Sequence, residues 1–166
     1  MTRKLILILA LFGHSALARP IERTLNQDER IPIPSLGISI RVPKNTQIIA
    51  PDQKEAVNYI FPWFITPLGE IELAKAAPQP KGSLKERIVS STSQSETRGI
   101  HTRQIEAPIE IGGITFIPAK CEGTKGFKIK RYYFLTPNGE LAYIHVVDSN
   151  DIESLESTII KTIQKS

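Results

Sequence analysis

The sequence predicts an α+β fold, an antiparallel sheet of about six to seven strands covered by helices in an α/β/α sandwich. Three observations carry this. Short stretches alternate apolar and polar residues at period two and stop at proline or glycine. Pro137-Asn138-Gly139 separates two such stretches with the chemistry of a type I turn followed by a glycine at positive φ. Between and after the strands lie two patterns of helical character, one opened by a capping box and one with isoleucines at helical spacing.

In chain order, residues 1–18 come first, with Arg3 and Lys4, an apolar run over 5–12, and Ser15-Ala16-Leu17-Ala18. This is the layout of a secretory signal cleaved after Ala18. Spanning the hydrocarbon core takes roughly 20 apolar residues, more than this run supplies. A lipid-anchored product needs a cysteine at the cleavage point, whereas Cys121 is the sole cysteine. The expected product is exported, periplasmic or extracellular, with no stable membrane anchor after cleavage. A buried N-terminal strand is the alternative. Residues 19–35 are charged, polar and carry Pro20, Pro32 and Pro34, so they read as a flexible lead or an extended edge, with a single folded domain over 36–166.

The first strand expected is 37–43, ended by Pro43. Residues 59–66 and 70–75 read as two more, joined through Pro67-Leu68-Gly69, and Pro62 points to an edge or a bulge because proline cannot donate to the ladder. Ser83 and Glu86 have capping-box spacing, so a helix starts there with Leu84, Ile88 and Val89 on one face and fades into the polar residues 90–97. Residues 101–110 and 114–122 predict a strand pair turned at Ile111-Gly112-Gly113, and 127–136 with 140–148 a hairpin. The last element is an amphipathic helix carrying Ile152, Leu155, Ile159, Ile160 and Ile163, capped by Asn150 with Glu153. Lys161 and Lys165 suit the negative end of its dipole.

The order and wording of these segments resemble the Mog1/PsbP-like superfamily, including bacterial domains related to the photosystem II extrinsic protein PsbP. Residues 37–43 are similar to the family's first strand, 111–116 to its turn into a central strand, and 131–134 with 138–139 and 142–144 to its closing hairpin. After the first proline this chain has Lys44-Asn45-Thr46, where many members place glycine and tryptophan. The resemblance implies a non-enzymatic accessory or binding module and transfers no catalytic residues.

Composition excludes little more. Loss of Arg3 and Lys4 lowers the net charge of +4 by two. The dense basic group Lys125, Lys128, Lys130 and Arg131 reads as a solvated face rather than a nucleic-acid stripe. Cys121 has no partner for an intrachain disulfide, so it is either buried or pairs between molecules. A thiol- or metal-dependent enzyme would use Cys121 with His101 or His145, and a carboxylate such as Asp148, but no ligand pair has characteristic spacing. No cofactor or metal is indicated. Gly112-Gly113 leads into a strand and lacks the helix start that holds a phosphate. Arg131 alternates onto a face with Phe127, Ile129, Tyr133 and Leu135. It either snorkels to solvent or, beside Tyr133 and His145, contacts an anion or partner. The two readings are an accessory domain binding a protein or small ligand through Arg131, Tyr133 and His145, and the enzyme.

Overall fold

The computed structural model describes residues 21–49, 61–77, 81–96, 99–148 and 152–166. The proposed signal segment and Ala18 lie outside them, as does Asn150. Twelve strands pair throughout in antiparallel fashion: β1 (Ile21–Thr24), β2 (Glu29–Ile33), β3 (Ile38–Val42), β4 (Gln47–Ile49), β5 (Trp63–Thr66), β6 (Gly69–Lys75), β7 (His101–Ile105), β8 (Ile109–Ile111), β9 (Ile114–Glu122), β10 (Lys128–Leu135), β11 (Leu141–Asp148) and β12 (Gln164–Lys165). Helix α1 (Leu84–Glu96) precedes β7, and α2 (Ile152–Thr158) follows β11. Nine strands form one sheet ordered β1-β4-β5-β6-β11-β10-β9-β7, with β8 also on β9, and β12-β3-β2 form a second.

The sheet is thus wider than the expected six to seven strands, for identifiable reasons. Strands of three or four residues, such as β1, β4 and β8, are too short to display alternation. Residues 101–110, expected as one strand, divide into β7 and β8. Pro118 of β9 accepts a bond from Glu106 N (2.8 Å) at that break, so its missing N–H faces the gap rather than a ladder partner. Within the expected lead 19–35, the described residues 21–35 contain β1 and β2, and β2 is an outer strand, the extended edge rather than the flexible lead. Leu25, Ile31 and Ile33 are buried, and Pro32 is tolerated because β2 is the outer strand of the small sheet. Pro62, expected to mark an edge or a bulge, directly precedes β5, an interior strand between β4 and β6, so it lies outside the ladder.

Helices lie on both faces of the large sheet, α2 on one and α1 on the other, and the small sheet is added on the α2 side. One face of the large sheet buries Phe64, Ile71, Leu73, Phe116, Tyr132, Phe134, Ile144 and Val146 against Ile38 and Ile40 of the small sheet and Leu155, Ile159, Ile160 and Ile163 of the C-terminal segment. Phe116 anchors an aromatic cluster, 5.2 Å from Phe134 and edge-on to Tyr132 at 6.4 Å. The other face carries Ala119, Cys121, Ile129, Tyr133 and Leu141, covered by α1 through Ile88. Val89, expected on the apolar face, is 47% exposed, and Ser91 and Thr92 are buried instead. Ser83 caps α1 as anticipated: its N–H donates to Glu86 Oε2 (2.7 Å) and its Oγ accepts from Glu86 N (3.3 Å). The helix continues through the serine run to Glu96.

The hairpin is as expected, with Gly139 N donating to Thr136 O (2.8 Å) and φ of 74° at Gly139. The terminal helix is not. It ends at Thr158, a 3-10 turn follows over Ile160–Thr162, and β12 joins β3. Residues 158–163 are all β-branched except Lys161, which disfavours continued helix. Thr162 Oγ1 accepts from Arg41 N (3.1 Å), and Lys165 N donates to Gly112 O (3.2 Å), fixing the tail on the small sheet and the β8–β9 turn. Lys165 therefore lies in a strand, not at a helix end.

That docking leaves no room at Gly112, where φ is 55° and a Cβ would stand 2.1 Å from Ile163 O, whereas Gly113 at φ 79° has nothing within 4 Å. Gly112→Ala is expected to cost about 3 kcal/mol in urea unfolding. Gly113→Ala should cost about 1 kcal/mol, the strain of left-handed backbone alone. Equal losses would show that the tail does not press on the turn.

Candidate functional site

Strand register assembles the site. In the β10–β11 ladder Arg131 stands opposite His145 and Tyr133 opposite Tyr143, and β6 places Glu72 beside His145 and Ala74 beside Tyr143. Because facing residues share a side of the sheet, Arg131, His145 and Glu72 form one row on the α1 face, continued by Trp63 of β5. The expected set Arg131, Tyr133 and His145 is therefore brought together. Sequence reasoning did not pick out Tyr143, Glu70, Glu72 or Ser95. Period two in β6 places both glutamates on one face, but only the register shows which strand they meet. Ser95 follows Ile88 and Thr92 at helical spacing inside a run that reads as unstructured polar chain.

Arg131 does not snorkel: it is 2% exposed, in the middle of an interior strand and under α1. Its Nη1 donates to Ser95 Oγ (2.6 Å) and Tyr133 Oη (3.3 Å), and its Cζ lies 4.8 Å from the Tyr143 ring centroid. Among the described residues no carboxylate pairs with it. A guanidinium cannot shed its proton, so a full charge is buried among neutral groups. Two partial charges offset it. The ring face of Tyr143 attracts a cation, and Ser95 belongs to the last turn of α1, the negative end of the helix dipole, which has no basic residue of its own.

His145 is buried, and burial first, with the Arg131 charge second, pushes its pKa well below the usual value, so the imidazole is neutral. Its Nδ1 lies 3.8 Å from Glu72 Oε2, beyond hydrogen-bond length. Two buried nitrogens of this pair, Arg131 Nε and His145 Nε2, make no hydrogen bond. In the next row, burial and then the Glu72 charge raise the pKa of Glu70 to about 7.

The remaining candidates do not converge. Cys121 is buried, with Thr102 Oγ1 at 3.7 Å and Ala119 O at 3.8 Å as its polar neighbours. Burial raises its pKa, against the smaller lowering effects of Arg131 and Thr102, which is the opposite of thiol activation. His101 is exposed and faces Glu122, on the other side of β9 from Cys121. The side chains of Asp148 and Lys125 lie outside the described residues. Nor is the basic group a solvated face. Lys128 is exposed, but Lys130 pairs with Glu156 and with Glu106 (3.6 Å), and Arg131 points to the opposite side of the sheet. Among the described residues no His, Cys, Asp and Glu cluster suits a metal ion, and no helix is long and apolar enough to cross a membrane.

No protein-family model matches the sequence, and no curated protein matches it. Among solved structures, the chain is similar to the solution structure of cyanobacterial PsbP (CyanoP) from Synechocystis sp. PCC 6803. The TM-score is 0.59 at 10% identity, over 90% of this chain and 99% of that one. The fold is PsbP-like.

The two perturbed acids give stability opposite pH slopes. His145, depressed in the folded state, contributes stability that is present above about pH 6.5 and declines on acidification. Glu70, raised from 4.5 to about 7, contributes stability present below about 4.5 and lost as pH rises through 7. Glu70→Gln should therefore stabilise the protein at pH 8 by about 1–2 kcal/mol after allowance for solvent screening. It should also steepen the loss between pH 7 and 5, and His145→Gln should flatten it. Denaturant titrations across this range test both signs. Cys121 should resist thiol labelling until the protein is unfolded, and rapid native labelling would contradict its burial.

Proposed function

We propose that this chain is an exported, non-catalytic accessory domain that engages a protein or small ligand through the face built by Arg131, Tyr133 and His145. The observation that carries the reading is the burial of Arg131 without a carboxylate. A position with a purely packing role is served better by leucine, since replacing buried ions with apolar groups is often neutral or stabilising. A retained, unneutralised cation is suited to contact with something outside the chain. The PsbP-like fold supports an accessory role by analogy of fold, and residues 1–18 support export with cleavage after Ala18, to a periplasmic or extracellular location. The raised pKa of Cys121 and its separation from His101 favour this reading over a thiol enzyme.

The mature chain from residue 19, used as bait on the exported protein and metabolite fraction, should retain a partner or ligand that Arg131→Leu does not retain. The thermal melt of the variant should be unchanged or higher. Equal retention by both proteins would overturn the role of Arg131.

A further inference from the structure

The guanidinium of Arg131 is used on one side only. Among the described residues its hydrogen bonds leave from Nη1, to Ser95 and Tyr133, while the buried Nε makes none. In a planar guanidinium the Nε–H and one Nη2–H point along a common edge, and the spacing of that edge matches the two oxygens of a carboxylate. The Tyr143 ring lies against the guanidinium and fixes it in place. Directly across the ladder is His145, whose Nε2 is the second buried nitrogen without a hydrogen bond.

Resting on the proposed function above, we propose that the ligand is a small monocarboxylate, bound side-on by the Nε–Nη2 edge of Arg131, and that its binding draws a proton from solvent onto His145. The groups facing His145 define the electrostatics. Arg131 from β10 disfavours the imidazolium, and Glu72 from β6 lies 3.8 Å from Nδ1 and favours it. Glu70, raised to about 7, is half ionised at pH 7 and becomes neutral on acidification, and among the described residues α1 presents the hydroxyls of Ser91, Thr92 and Ser95 on its buried face. A ligand carboxylate cancels the charge of Arg131, and the imidazolium then lies between two anions, Nδ1–H toward Glu72 and Nε2–H toward the ligand. A single negative charge matches a single guanidinium. A dianion such as sulfate would bury a second charge with only the imidazole to meet it. Entry requires the end of α1 to lift. That end rests on small hydroxyl side chains, whereas Ile88 anchors the middle of the helix.

The test is an NMR titration of the histidine ring signals of the mature chain with sodium acetate, at ionic strength held constant with chloride, and with sodium sulfate in parallel. Acetate should shift His145 and leave exposed His101 in place, raise the titration midpoint of His145, and bind more tightly from about pH 7 to about pH 5.5. Arg131→Lys, which keeps the charge and loses the fork, should weaken binding about tenfold. His145→Gln should bind acetate without the pH dependence. An unmoved His145, or an equal response to chloride or sulfate, would overturn the carboxylate assignment. If a partner is still retained through Arg131 in the bait experiment, that result would leave the binding role of the face intact.

Discussion

The structure depends on the β10–β11 ladder, seven residue pairs in register from Ile129 with Val147 to Leu135 with Leu141. It lies inside the nine-stranded sheet, flanked by β9 and β6, so its backbone is satisfied on both sides and nearly all of its side chains are buried on both faces. A strand pair in that position must resolve every side chain internally. On one face it does so with Tyr132, Phe134, Ile144 and Val146, which take the small sheet and the C-terminal segment as cover. The other face includes Arg131 and His145, and these need polar and electrostatic compensation that an apolar cover does not supply.

The two faces are covered by different means. The apolar face recruits segments distant in sequence, β2 and β3 from one end of the chain and β12 from the other. Packing and backbone bonds at Thr162, Lys165 and Gly112 hold them there. Lys130 adds an ionic tie from β10 to Glu156 of α2, with Tyr132 donating to the same carboxylate. The polar face recruits one helix with a sparse apolar stripe. Where α1 meets Arg131 it supplies a hydroxyl and the negative end of its dipole. Burial first, and then the same cation, keep His145 neutral, so the charge at one residue adds to the protonation preference of its neighbour. Any anion that reaches Arg131 acts on both.

Much of this was legible in the sequence because the local signals are chemical. The Ser83–Glu86 box, the Pro137-Asn138-Gly139 turn and the alternation of β10 and β11 each reflect a physical requirement of one element, and each corresponds to that element in the structure. Alternation also brought Arg131, Tyr133 and His145 to one face. The errors arose where tertiary contacts decide. Residues 158–163 have isoleucines at helical spacing, yet their β-branching and the docking of Thr162 on Arg41 turn them into a 3-10 turn and a strand. Pro32 of β2 read as part of a lead, and it is accommodated on an outer strand where no ladder donor is needed. Glu72 and Ser95 were invisible as site residues because only the strand order and the seating of α1 bring them to Arg131.

The central claim is that Arg131 is a buried cation without a carboxylate partner whose field, added to burial, lowers the pKa of His145. The most direct test is the titration of the His145 ring in the unliganded protein, followed by NMR. The account predicts a midpoint well below the usual value of about 6.5, moving upward when Arg131 is replaced by leucine. A midpoint at or above 6.5 in the unaltered protein would contradict it, since Glu72 rather than Arg131 and burial would then set the charge of the site.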